Sequence, residues 1–104
     1  IHGLIKTGEP KLNIKRIKEL KKALKTPMVL HGASGNTDEE VTLAIKAGIR
    51  IVHINTELRL AYKKGIKKGV MSSDELAPYK FMAEGVEEMK KLVTHKLKVF
   101  NGLN

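Results

Sequence analysis

Apolar and polar positions along the chain alternate between helical and extended patterns. From Asn13 onward, Ile14, Ile17, Leu20 and Leu24 recur at three- and four-residue steps, while Lys15, Arg16, Lys18, Lys21, Lys22 and Lys25 fill the other positions. This spacing predicts an amphipathic helix with Asn13 as its N-cap. Thr26-Pro27 is expected to stop it, because proline disfavours a helical residue before it and carries no amide proton. Met28 to His31 then reads as a short buried strand that enters a tight loop, Gly32-Ala33-Ser34-Gly35. Thr37 and Glu40 have the spacing of a capping box, and Val41, Ala44, Ile45 and Gly48 share one face of the helix behind it. A second strand is predicted over residues 49–54, followed by polar Asn55-Thr56-Glu57 and a helix carrying Leu58, Ala61, Tyr62, Gly65 and Ile66. Residues 71–74 make a polar connection in which Ser72 and Ser73 can cap the next helix. Phe81, Met82, Gly85, Val86, Met89, Leu92, Val93 and Leu97 then predict one long amphipathic helix that ends near Asn101-Gly102.

With a further strand ending at His2-Gly3, the order is strand, helix, strand, helix, strand, helix, helix. Such alternation argues for an α/β fold of parallel strands joined by helical crossovers. Three strands in 104 residues make a poor closed sheet, whereas a barrel of eight such units takes about 250 residues. The chain opens on Ile1 rather than Met. It therefore reads as part of something larger, with no domain boundary inside residues 1–104.

Composition narrows the class. An apolar fraction of 41% with 30% charged residues fits a folded soluble chain and disfavours disordered, fibrous and membrane classes. Without cysteine there is no disulfide framework, thiolate zinc site or thiol nucleophile. No apolar run approaches the roughly 20 residues of a membrane span, and the first residues lack a signal-peptide layout. A cytoplasmic location without a membrane partner is the expectation. The net charge of +9 suggests nucleic acid, but residues 1–25 hold eight basic and two acidic side chains, so the excess is concentrated on one helix. Two Tyr and two Phe offer little for base stacking, and no binding module is recognisable. We read the lysines as a solvated helix face and expect no nucleic-acid partner.

The chemistry lies at the strand ends, where α/β folds place their sites. Those ends read His2-Gly3, His31-Gly32-Ala33-Ser34 and His53-Ile54-Asn55-Thr56, one imidazole each. Backbone amides of the Gly32–Gly35 loop and the N-terminus of the following helix can face an anion together. Asn55 and Thr56 add amide and hydroxyl groups at the next helix start. His95, among Lys90, Lys91, Lys96 and Lys98, reads as a surface residue.

Three segments carry a resemblance: Lys6-Thr7-Gly8-Glu9-Pro10-Lys11-Leu12, Pro27-Met28-Val29-Leu30-His31-Gly32-Ala33-Ser34-Gly35, and Ile54-Asn55-Thr56-Glu57-Leu58. With Pro78-Tyr79-Lys80 and the final helix, the chain closely resembles the C-terminal part of class II ketose-bisphosphate aldolases. The resemblance implies a zinc-dependent (β/α)8 barrel, of which this chain would hold about the last three β/α units and the terminal helices. It implies His2 and His31 as two of three zinc ligands, with a monovalent cation as a further possible ion. Gly3, Gly32, Ala33 and Ser34 would contact the triose phosphate, and His53, Ile54, Asn55 and Thr56 would form the second substrate-binding strand end. The first metal histidine and the proton-transferring aspartate would precede Ile1, so no catalytic residue falls within the chain. The implied reaction is reversible aldol cleavage of a fructose or tagatose 1,6-bisphosphate to dihydroxyacetone phosphate and an aldehyde. Its implied partners are that substrate, the missing N-terminal strands in cis or trans, and further copies in a homodimer or homotetramer. A rival reading is a non-catalytic phosphate-binding or assembly remnant of the barrel. Two positions depart from the family pattern. Asn36 replaces an apolar residue, and His53 stands where asparagine is usual. His53 either occupies the asparagine position near the phosphate or turns inward to complete a three-histidine site with His2 and His31.

Overall fold

A computed structural model describes residues 11–103. Its elements are α1 (Ile14–Ala23), β1 (Met28–Leu30), α2 (Asp38–Ala47), β2 (Ile49–Val52), α3 (Thr56–Met71), α4 (Pro78–Phe81) and α5 (Ala83–Phe100). The strand expected at His2-Gly3 lies outside the described residues. Two compact units emerge, one of Ile1–Asn55 with Lys98–Asn104 and one of Thr56–Leu97.

In the first unit, β1 and β2 pair in parallel, with α2 as the crossover between them, as the alternation predicts. Met28 pairs with Ile49, but Val29 pairs with Ile51 and Leu30 with Val52, so an irregularity follows Met28 and Arg50 becomes the extra residue of β2. Both strands are shorter than expected. The ladder closes on a hydrogen bond from the His53 amide to the Leu30 carbonyl at 2.9 Å, and His31 and Ile54 fall beyond the strands. The core is small-residue packing: Val41, Ala44 and Ala47 of α2, Ile49 of β2 and Ala33 of the loop are buried. Small side chains on α2 let it lie close to the strand it feeds.

Helix α1 starts where predicted, with the Asn13 side chain accepting from the Arg16 amide at 2.9 Å. It ends at Ala23, earlier than Thr26-Pro27 alone requires, and Leu24 is already extended. No residue of α1 is buried, so further turns would gain little tertiary packing. Lys21 does more than face water. A Cβ built on Gly48 would stand 2.8 Å from Lys21 Cγ, so the lysine stem lies across the end of α2.

In the second unit, α3 buries Gly65 and Gly69. A Cβ on Gly65 would collide with the Glu84 carbonyl, and one on Gly69 with the Phe81 carbonyl. The glycines are where α3 meets the backbone of residues 81–85. The single last helix predicted by periodicity is instead two. Pro78 opens the one-turn α4 at its N1 position, Met82 caps it, and the Gly85 and Val86 amides then both turn to the Met82 carbonyl. The buried or half-buried stripe of α5 is Gly85, Glu88, Met89, Leu92 and Lys96, whereas Val86, Val93 and Leu97 are exposed. No helix among the described residues is long and apolar enough to cross a membrane.

Candidate functional site: the ends of the two parallel strands

The register of the sheet decides what meets at its carboxyl end. Because Leu30 pairs with Val52, the next residues, His31 and His53, stand side by side. Without the extra residue at Arg50, His31 would lie level with Val52 instead. The two imidazoles approach with Nδ1 atoms 3.2 Å apart. Their centroids are 4.7 Å apart and their planes cross at 80°, a spacing that matches the roughly 4.7–4.9 Å between neighbouring strands. Both residues are exposed. Which Nδ1 donates and which accepts is set by the tautomers of the two rings.

The loop after His31 is built by its glycines. The Asn36 amide donates to the Ala33 carbonyl at 3.2 Å, closing a β-turn in which Gly35 takes the third position with φ 91°. A positive φ there is the type II requirement, and glycine meets it without steric cost. Gly32 is half-buried, while Ala33 and Ser34 are buried at 2% and 6% exposure. The Ala33 side chain belongs to the core, so only its backbone can serve a ligand. Asn36 is also buried, and its side-chain amide donates to Glu40 Oε2 at 3.4 Å.

Helix α2 opens with the predicted capping box. The Glu40 amide donates to Thr37 Oγ1 at 3.1 Å, and the Thr37 amide donates to Glu40 Oε2 at 3.2 Å. The hydrogen bond from the Thr37 backbone, helped by the Asn36 side chain and opposed by partial desolvation, holds the Glu40 carboxyl below the usual carboxylate range. Asp38 and Glu39 add further negative charge in the first turn. The helix N-terminus is thus already served by its own acidic side chains, and any anion near it depends on the amides of the preceding loop.

After His53, Ile54 is half-buried and Asn55 exposed, and Thr56 is the half-buried first residue of α3. His2 and Gly3 lie outside the described residues. Among the described residues, no group of three histidine, cysteine, aspartate or glutamate side chains is placed to hold a metal. His95 is exposed on α5. One further pair joins residues distant in the sequence. Lys96 Nζ lies 2.9 Å from Glu57 Oε2, with side-chain exposures of 9% and 23%. The clue was spacing, since Lys96 continues the Gly85, Met89, Leu92 stripe at the next helical step.

Parallel strands linked by a helix, with imidazoles and a glycine-rich turn at their carboxyl ends, define an α/β protein of the class that binds ligands at its strand ends. The chain belongs to the class II fructose-bisphosphate aldolase family, whose sequence model matches residues 1–104. It is 33% identical over 110 residues to a fructose-bisphosphate aldolase of Ureaplasma parvum serovar 3, a match covering 100% of this chain and 38% of that protein. It is 36% identical over 104 residues to a sulfofructosephosphate aldolase of Alkalicoccus urumqiensis, covering 99% of this chain and 36% of that protein. The chain therefore spans little more than a third of the length of these curated relatives. Among solved structures, the YdjI aldolase of Escherichia coli K12 superposes with a TM-score of 0.78 at 33% identity, over 88% of this chain and 34% of that one. The fructose-bisphosphate aldolase of Campylobacter jejuni gives the same TM-score at 21% identity, over 100% of this chain and 38% of that one, which supports the fold alone. The described fold is part of an aldolase fold.

Proposed function

We propose that this chain supplies the triose-phosphate side of the active site of a zinc-dependent class II aldolase that reversibly cleaves a ketose 1,6-bisphosphate into dihydroxyacetone phosphate and an aldehyde. The observation that carries the reading is the His31–Gly35 strand end, an imidazole followed at once by a glycine-built turn, in a chain matched by the family over its whole length. The complete protein is then a (β/α)8 barrel to which this chain contributes the last β/α units.

In this reading the amides of Gly32, Ala33 and Ser34, with Gly3, hold the phosphate of the substrate. That anchorage supplies binding energy away from the bond that breaks and fixes the reacting carbons. Ile54, Asn55 and Thr56 line the second strand end. His2 and His31 would hold zinc, and imidazole nitrogen is a donor that suits it. Zinc, when bound, supplies Lewis-acid polarisation of the substrate carbonyl. The two curated relatives' names share a fructose phosphate and differ in its other substituent, a second phosphate in one and a sulfo group in the other, which agrees with a phosphate contact built into this shared segment. The proton-transferring aspartate comes from preceding strands.

The test is an aldol-cleavage assay of the full-length protein that carries this chain, with fructose and tagatose 1,6-bisphosphates, before and after chelation. Cleavage of one of them, lost on chelation and restored by zinc, is expected. Failure to cleave either, with correctly folded protein and added zinc, overturns the reading.

A further inference from the structure

We propose that His53 is itself a metal ligand, binding through Nδ1 beside Nδ1 of His31, so that the two strand ends grip one divalent cation of the zinc type. The inference rests on the reading of His31 as a ligand and extends it to a residue that stands where the family pattern has asparagine.

The geometry is on the sheet. Two imidazole nitrogens bound to one tetrahedral zinc at about 2.0–2.1 Å stand about 3.3–3.4 Å apart. The Nδ1 atoms of His31 and His53 are 3.2 Å apart, which places them close to the positions two such ligands occupy. The near-perpendicular rings, at 80°, let the nitrogens converge while the ring bodies stay clear of each other. A stacked pair would put the rings face to face and turn the nitrogens parallel.

Two structural features produce this arrangement. The extra residue at Arg50 brings His53 level with His31, and the backbone bond from the His53 amide to the Leu30 carbonyl fixes the strand end from which its side chain departs. Both imidazoles are also exposed, so a cation can reach them without opening the core. The donor set is nitrogen only, which favours zinc, cobalt or nickel over magnesium or calcium.

The alternative is a plain hydrogen bond, Nδ1–H to Nδ1, in which His53 orients His31 without touching metal. Zinc titration of the ¹⁵N-labelled full-length protein, followed in long-range ¹H–¹⁵N spectra of the imidazoles, separates the two. Nδ1 of both His31 and His53 is expected to shift together and to saturate at one equivalent. His53→Asn is expected to weaken zinc binding by about tenfold or more, measured by competition with a chromophoric chelator. A shift at His31 without one at His53 Nδ1 overturns the proposal and leaves the reading of His31 standing. No shift at either overturns both. Unchanged affinity in His53→Asn overturns it as well. Because the spectra use unaltered protein, the proposal stays testable if the variant fails to fold.

Discussion

His31 and Lys96 show how little a residue's type says about its task. The sequence places Lys96 among the lysines around a surface His95, yet it is buried against a carboxylate at 2.9 Å, and His31, read as a strand-end imidazole, reaches a second imidazole at 3.2 Å. The Lys96–Glu57 pair lies in the second unit, and breaking one side of such a pair leaves the other charge poorly solvated. Lys96→Met is therefore expected to destabilise the protein by about 2–3 kcal/mol, less than a fully enclosed pair because Glu57 retains some water. Lys96→Met with Glu57→Leu should recover most of that loss in denaturant unfolding. A double variant no more stable than the single one would show that packing, rather than charge, sets the cost.

Among the elements, α2 was the most readable, since Thr37, Glu40 and the apolar face all point to one helix start and one buried side. Thr37→Ala is expected to cost about 1 kcal/mol in urea unfolding, the usual effect of losing an N-cap side chain. The pH dependence follows from the direction of the Glu40 shift. Its carboxyl is held below the usual range by the Thr37 backbone bond, so its contribution is present above the ordinary carboxylate range and is lost as pH falls through the lowered value. Glu40→Gln should thus flatten the acid side of a melting-temperature profile, and an unaltered profile would show that the Glu40 carboxylate contributes nothing to stability there. Glu88 titrates in the same sense, held low chiefly by the Lys91 side chain. Helix α3 carries a different kind of information. Gly65 looked like one small residue on an apolar face, but it sits against the Glu84 carbonyl. Gly65→Ala is expected to lower stability by about 1–3 kcal/mol through overpacking, despite alanine's better helix propensity. A more stable variant would contradict that close approach.

At the scale of the whole chain, the sheet of the first unit exposes side chains that a parallel sheet normally covers. Val29 and Ile51, paired across β1 and β2, are 37% and 46% exposed. Parallel sheets are covered on both faces in complete folds, which fits a chain spanning little more than a third of its curated relatives. The 104-residue chain alone is expected to show no aldol cleavage at a rate typical of the family, and activity should require the preceding strands in cis or trans. Family-level turnover by the chain alone would overturn this. The β1–α2–β2 alternation, its parallel pairing and the histidine-and-loop ends of these two strands are legible in the sequence, because they depend on periodicity and on turn chemistry within a few residues, whereas the strand expected at His2-Gly3 lies outside the described residues. The split of the last helix is not legible there, since apolar spacing continues across Met82 while the backbone bonds there change partner.

The sequence by itself determined the helix starts at Asn13 and Thr37, the two strands, the glycine turn and the family, because each rests on neighbouring residues or a local motif. Which residues meet was decided only by the tertiary structure. One extra residue at Arg50 shifts the register and sets His53 beside His31, and the packing of α3 against residues 81–85 turns Gly65 from a neutral position into a required one. Both outcomes depend on pairing between segments distant in sequence: a side-chain period of two restricts which face of a strand is buried, but the extra residue that sets the register here interrupts that period.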